Sequence, residues 1–375
     1  MPWQECSTMS LRQEFLFLAS QPGSNFSQLC QRFGVSRKTG YKWQQRYQQS
    51  GAAGLVDRSR RPQHSPARTE PAVEQQVLAI RDQYGWGARK IKWCLEQEGP
   101  EALAKSTVHS ILQRHGRVTP PPNSVVGSYQ RFEQERPNQL WQMDFKGHYR
   151  LGNGARCHPL TVLDDHSRYS LCLQACRNEQ TETVQQQLTA TFRRYGLPER
   201  MLMDNGSPWG NDFAHQYTPL TVWLLRLGIG VSHSRPYHPQ TQGKDERFHR
   251  SLKVEVLAQR IYGDFGCMQI RFDEWRYCYN HVRPHEALGM ALPASRYQLS
   301  HRSFPEQLPP LEYGAIDQVR KVQGDGKISF RNREFRVGKA FRGYPIALRP
   351  TAEDGLYEIY FATHRILLVD LCQPE

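Results

Sequence analysis

The order of elements from Asn138 onward constrains this chain more than any other feature. Residues 140–147 (LWQMDFKG), 159–163 and 169–175 read as three strands joined by short turns. A helix over 181–195 follows, capped by Thr181 and stopped by Gly196 and Pro198. A short buried strand at 201–203 then ends in Asp204-Asn205-Gly206. A helix through 223–227, a strand at 230–233, a helix beginning over 243–257 and another over 272–279 complete the series. Three strands, helix, strand, helix, strand, helix is an α/β layout spanning about residues 138–300, long enough for a sizeable core.

The flanking regions have a different texture. Residues 26–33, a Gly34-Val35-Ser36 turn and residues 37–47 give helix, turn, Ser N-cap and second helix, the pattern of a helix-turn-helix over 1–56. Residues 70–84, 88–98 and 106–115 read as a second trihelical, helix-turn-helix-like domain over 70–118, its last helix opened by a Ser106 cap. An Arg- and Pro-rich linker (57–69) and one containing Pro120-Pro121-Pro122 (119–137) separate the parts. Beyond 311 short alternating runs with Gly-Asp-Gly and Asp-Gly turns suggest a small β-barrel or β-sandwich, and a small β-barrel is expected over 311–375. The fold class is thus multidomain: all-α helix-turn-helix domains, a central α/β core and a C-terminal β domain.

Charge says what the helices meet. The chain has 49 Lys+Arg against 36 Asp+Glu, and residues 1–136 alone carry a net +8. Between Arg37 and Arg68 stand eight basic residues and one acid, Asp57. A concentrated positive field points to a polyanion, with double-stranded DNA favoured. In a helix-turn-helix the start of the second helix meets base edges, which selects Arg37, Lys38 and Thr39, with Lys42 one turn on.

Two acids interrupt apolar strands. Asp144 sits between Met143 and Phe145, and Asp204 follows Met201-Leu202-Met203. A carboxylate in a buried strand is costly unless compensated, and two meeting at one sheet edge would suit a hard dication that prefers oxygen ligands. Asp204 also fits a simple turn cap; Asp144, in mid-strand, does not. Asp245 and Glu246 compete for a third position. Asp245 shares the apolar stripe of Phe248, Leu252 and Val256, while Glu246 shares a stripe with Arg250 and Lys253, so Glu246 is selected. Lys244, Arg250 and Lys253 are candidates to hold a DNA backbone near the acids; Asn205, Arg235 and His238 are further candidates around the site.

The motifs WQMDFKG (141–147), LDDHSRY (163–169), DNGS (204–207) and HPQTQGKDERFHRSLK (238–253) resemble the ribonuclease H-like core of DDE transposases in the retroviral-integrase superfamily. SRKTGYKW (36–43) and WGARKI (86–91) resemble the DNA-binding segments of bacterial insertion-sequence transposases. The resemblance implies a catalytic and metal-binding triad of Asp144, Asp204 and Glu246 holding two Mg²⁺ or Mn²⁺ ions. It implies metal-dependent cleavage at insertion-sequence ends and strand transfer, with terminal inverted repeats and target DNA as partners and a homodimer or higher assembly on DNA. The interval of 41 residues between Asp204 and Glu246 is longer than in related transposases. Asp164 and Asp165 belong to the same pattern and are expected to serve the turn between strands.

Other classes fit less well. No apolar run is long enough to span a bilayer, and Glu5 stands where a signal peptide needs basic and apolar residues, so a cytoplasmic protein without membrane partners is expected. Nine scattered cysteines lack a CxxC pair and read as reduced thiols, and His281 and His285 read as surface histidines. A catalytically inactive DNA-binding regulator derived from a transposase would be expected to have lost an acid, and a ribonuclease H-like nuclease would not need the paired N-terminal DNA-binding segments.

Overall fold

The computed structural model describes residues 7–58, 68–99, 103–118, 133–210, 217–234 and 243–372. The chain divides into two compact units, residues 1–70 and 71–375. Arg235, His238 and most of both expected linkers lie outside the described residues.

The first unit packs helices α1 (Thr8–Ala19), α2 (Phe26–Arg32) and α3 (Arg37–Ser50) around Phe15, Leu16, Cys30, Trp43 and Leu55. Gly34 turns the chain between α2 and α3 at φ +63°, a conformation that favours glycine. Ser36 then caps α3, its Oγ accepting the Thr39 N–H at 3.1 Å. Gly40 lets α3 approach closely, since a Cβ there would lie 2.9 Å from Cys30 Sγ and 3.0 Å from the rings of Phe15 and Phe26.

The second unit opens with α4 (Pro71–Tyr84), α5 (Ala88–Glu98) and α6 (Lys105–Arg114) on a core of Val77, Trp86, Ile91, Val108 and Ile111. Ser106 lies inside α6; the cap position is Ala104, which makes no side-chain cap. Cys278 and Val282, from the central domain, pack into this same cluster, and Arg89 pairs with Glu286 at 3.0 Å.

The central sheet contains β1 (Leu140–Phe145), β2 (Tyr149–Arg150), β3 (Arg156–Asp164), β4 (Ser170–Cys176), β5 (Arg200–Met203) and β6 (Gly230–His233). β3 pairs antiparallel with β1, β2 and β4, whereas β1, β5 and β6 run parallel. Side chains alternate across β1. Trp141 and Met143 enter a core with α7 (Thr181–Tyr195) and α8 (Pro219–Arg226), through residues such as Leu188, Phe192 and Leu224. The opposite face is covered by α9 (Gly243–Leu252), a π-helical turn (Lys253–Leu257) and α10 (Phe265–His281), whose Phe248, Leu252, Phe272 and Trp275 join Leu163 and Leu173. α10 starts seven residues earlier than the sequence suggests, because Asp264 caps it by accepting the Cys267 N–H at 2.8 Å. His285 is a correction: it is buried, its ring edge-on to Tyr279 at 4.6 Å, not at the surface.

After α11 (Pro293–Arg296) come β7 (Gln318–Lys321), β8 (Lys327–Phe330), β9 (Arg333–Arg336), β10 (Pro345–Pro350), β11 (Leu356–Phe361) and β12 (His364–Asp370). Their pairing is open where a barrel was expected: a four-stranded sheet β12-β11-β10-β7 and a separate β8-β9 hairpin. Ile328 and Phe330 of the hairpin share one core with Phe341, Ile346 and Phe361, and Val222 and Leu225 of α8 complete it. Among the described residues, no helix is long and apolar enough to cross a membrane.

Candidate active site

The parallel register of β1 and β5 builds the site. Trp141 stands beside Met201 and Gln142 beside Leu202, so two residues further along Asp144 comes opposite Asp204. Both acids sit where these strands end, on the face covered by α9. Asp144 is pushed up to about 7, first by burial and then by the negative charge of Asp204. Asp204 is held in place: its Oδ1 accepts the Gly206 N–H at 2.9 Å and the Trp209 indole N–H, while its carbonyl accepts from His233 Nδ1 at 2.8 Å. It therefore caps a turn and faces Asp144 as well.

The two acids at the start of α9 point differently. Asp245 is fully buried, neither of its oxygens has a hydrogen-bond partner among the described residues, and burial followed by the charges of Asp144 and Asp165 raises its proton affinity well above the usual carboxylate range. Glu246 is exposed, as are Arg250 and Lys253 on the same outer stripe. Among the described residues no three His, Cys, Asp or Glu side chains converge as a metal cage. The Asp144–Asp204 pair nevertheless suits a hard cation, since two neighbouring carboxylates repel each other, Lys146 offsets this only in part, and both offer oxygen ligands. Lys244 turns inward, its ammonium 2.5 Å from Asp165 Oδ1.

Sequence reasoning missed His249. It is buried on α9, with Nε2 2.9 Å from Thr161 Oγ1 and Nδ1 3.8 Å from Asp144 Oδ2. Its helical spacing from Asp245 and Leu252, at i, i+4 and i+7, is the signal that could have found it. Burial, with a smaller effect from Lys146, lowers its pKa to about 3. In the first unit Arg37, Lys38 and Lys42 are exposed along the start of α3, whereas Thr39 is half-buried and its hydroxyl lies 2.9 Å from that of Ser36. Asn205 donates through Nδ2 to the Ser234 carbonyl at 2.9 Å.

A mixed sheet with paired acids at its parallel edge, preceded by a helix-turn-helix, defines an integrase-core protein. Integrase core domain models match residues 134–239 and 227–293, a helix-turn-helix domain model matches 11–63 and a homeodomain-like model matches 39–112. The C-terminal domain model of IS481 family transposases matches residues 317–374. The insertion element IS407 uncharacterized 31.7 kDa protein of Burkholderia multivorans is 25% identical over 67% of this chain and 91% of its own length. The transposase for transposon Tn552 of Staphylococcus aureus is 24% identical over 78% of this chain and 68% of its own. The magnesium-bound catalytic core of HTLV-2 integrase aligns with a TM-score of 0.32 at 15% identity, over 44% of this chain and 99% of that one. The chain is a DNA transposase of the bacterial insertion-sequence type, in the DDE group of the retroviral-integrase superfamily.

Proposed function

We propose that this transposase cuts at the ends of an insertion sequence and joins the freed ends to target DNA, with Asp144, Asp204 and Glu246 as its catalytic carboxylates. The observation that carries this reading is the register of β1 and β5, which brings two acids side by side at the strand ends, where burial and the charge of Asp204 outweigh Lys146 and raise the proton affinity of Asp144. Glu246, in the first turn of the helix covering that edge, would complete the set from its outer stripe. Asp144, Asp204 and Glu246 would hold two Mg²⁺ or Mn²⁺ ions, whose chemistry is to activate an attacking oxygen and stabilise a leaving one.

The reaction needs no covalent enzyme intermediate. In the first step a water oxygen forms a bond to phosphorus as the 3′ oxygen leaves, giving a 3′-hydroxyl and a 5′-phosphate. In the second that hydroxyl attacks a target phosphodiester; one P–O bond forms and one breaks, so no energy source is required. This chain's residues orient the strands: Arg250 and Lys253 are exposed beside Glu246 and suited to backbone phosphates. Lys244 serves the site from within, through Asp165. Arg37, Lys38, Thr39 and Lys42 would address the terminal inverted repeats. The working partition is a helix-turn-helix domain (1–56), a second helical domain (70–118), a core (138–300) and a β domain (311–375), working in the cytoplasm as a homodimer or larger assembly on DNA.

The test is divalent-metal-dependent joining of labelled terminal-repeat DNA to plasmid. Asp144→Asn, Asp204→Asn and Glu246→Gln should each abolish cleavage and joining while leaving end binding intact. Activity in Glu246→Gln together with inactivity in Asp245→Asn would move the third acid to Asp245.

A further inference from the structure

Helix α9 must place Glu246 against a sheet edge it does not belong to, yet the buried face of the helix carries polar groups as well as Phe248 and Leu252. Two chains of polar contacts leave that face, one on each side of Glu246. Two residues before it, Lys244 Nζ lies 2.5 Å from Asp165 Oδ1 and 3.3 Å from the Asp165 carbonyl. Asp165 Oδ1 also accepts from Gln142 Nε2 at 2.7 Å, and Oδ2 accepts the Gln134 N–H at 2.9 Å. Gln142 stands two residues before Asp144 on β1, facing the same way. Asp165 is 1% exposed and Gln142 fully buried, so this charge is not a solvated surface acid.

The second chain lies three residues after Glu246. The hydroxyl of Thr161, directly across from Asp144 in the β1–β3 register, donates to the Asp144 carbonyl at 2.9 Å. A hydroxyl has one proton, so the 2.9 Å contact between Thr161 Oγ1 and His249 Nε2 must be donated by the imidazole. The other ring nitrogen, Nδ1, then lies beside the carboxylate, 3.8 Å from Asp144 Oδ2.

We infer that Lys244–Asp165–Gln142 and His249–Thr161–Asp144 are two clasps that set the height and rotation of α9 on β1, and that Asp165 and His249 are positioning residues for the third carboxylate. The inference rests on Glu246 being that carboxylate. It assigns Asp165 a role beyond the turn between β3 and β4, and it accounts for a lysine turned inward in a protein that binds polyanions. Geometry explains the need for two clasps: a single contact would leave the helix free to pivot, whereas contacts five residues apart fix both its axial position and its rotation.

The test measures Mn²⁺ binding to the full-length chain, through loss of the free-ion paramagnetic resonance signal, alongside thermal melting of the metal-free protein. His249→Leu and Asp165→Asn should each weaken Mn²⁺ binding about tenfold, the lower end of what outer contacts to metal ligands contribute. His249→Gln, which offers an N–H near the position of Nε2, should bind within about threefold of the unmodified chain. A general loss of structure would lower melting without such rescue, and if His249→Leu fails to fold, His249→Gln and Asp165→Asn decide. Unchanged Mn²⁺ binding in both clasp variants, with weakened binding in Glu246→Gln, overturns the inference and leaves the triad standing. Unchanged binding in Glu246→Gln overturns the triad assignment, and the clasps with it.

Discussion

Individual residues differ in how much of their role the sequence discloses. Asp144 is legible because a charge in mid-strand among Trp, Met and Phe has few bland explanations. His285 is not legible, because beside Pro284 and four residues from His281 nothing in the sequence separates surface from core. In the fold it lies under Tyr279, and burial, then the nearby positive charges of Arg283 and Lys90, push its pKa down to about 2. The folded chain therefore keeps this imidazole neutral, while the unfolded chain protonates it near the ordinary value of about 6.5. A depressed histidine pKa means stability is retained above that value and lost as pH falls below it, by up to about 1.4 kcal/mol per pH unit. Melting of the second unit should drop between pH 7.5 and 5.5, and His285→Leu should reduce the size of that drop. An equal drop in both proteins would exclude His285 as its source.

Among the elements, those with strong end signals were the most legible. Strand β6 and helix α5 begin and end where their sequences suggest, and α7 spans the expected Thr181–Tyr195, although its cap position is Gln180, which makes no side-chain cap, and not Thr181. Strand β7 escaped notice because all four of its residues are exposed, so no apolar alternation marks it. Helix α3 is the element to which DNA recognition is assigned in our proposal. Its register is fixed by the Ser36 cap and by Gly40, which bring the helix onto Phe15 and Cys30 and leave Arg37, Lys38 and Lys42 outward. Arg37→Ala with Lys42→Ala should weaken binding to terminal repeats and flatten its dependence on salt, because fewer counterions are released per complex. If Arg37 reads a guanine, its loss should also relax specificity by about 1–3 kcal/mol at one base pair. Gel-shift titrations across a salt series read both effects, and unchanged affinity in the double variant would transfer recognition to the second helical segment, around Ser106–Arg114.

At the scale of the whole molecule, a transposon has two ends, and one active site on one chain cannot serve both in a concerted reaction. The basic run of the β domain (Arg331, Arg333, Arg336, Lys339 and Arg342) reads either as a surface reaching across to DNA held by a partner, with Arg331 and Arg333 on one strand face, or as a solvated strand edge. The structure separates those two: Arg331 and Asn332 form the hairpin turn at φ +46° and +62°, and Arg331 lies over the rings of Phe330 and Tyr357 at 5.7 and 5.2 Å. Arg333 instead donates to the Leu371 carbonyl at 2.8 Å. Lys339 and Arg342 remain exposed around Phe341, which packs edge-on to Tyr217 at 4.9 Å. Deleting the domain would be a poor test of bridging, because Val222 and Leu225 of α8 would lose the core they share with it. Charge reversal of Lys339 and Arg342 leaves that core covered. An Asp144→Asn chain mixed with a chain carrying Lys339→Glu and Arg342→Glu should recover paired-end joining that neither performs alone, because the first supplies the basic surface and the second the acids. Full joining by the charge-reversed chain on its own would remove these two residues from the assembly, and loss in both the single protein and the mixture would confine their role to the subunit that cuts.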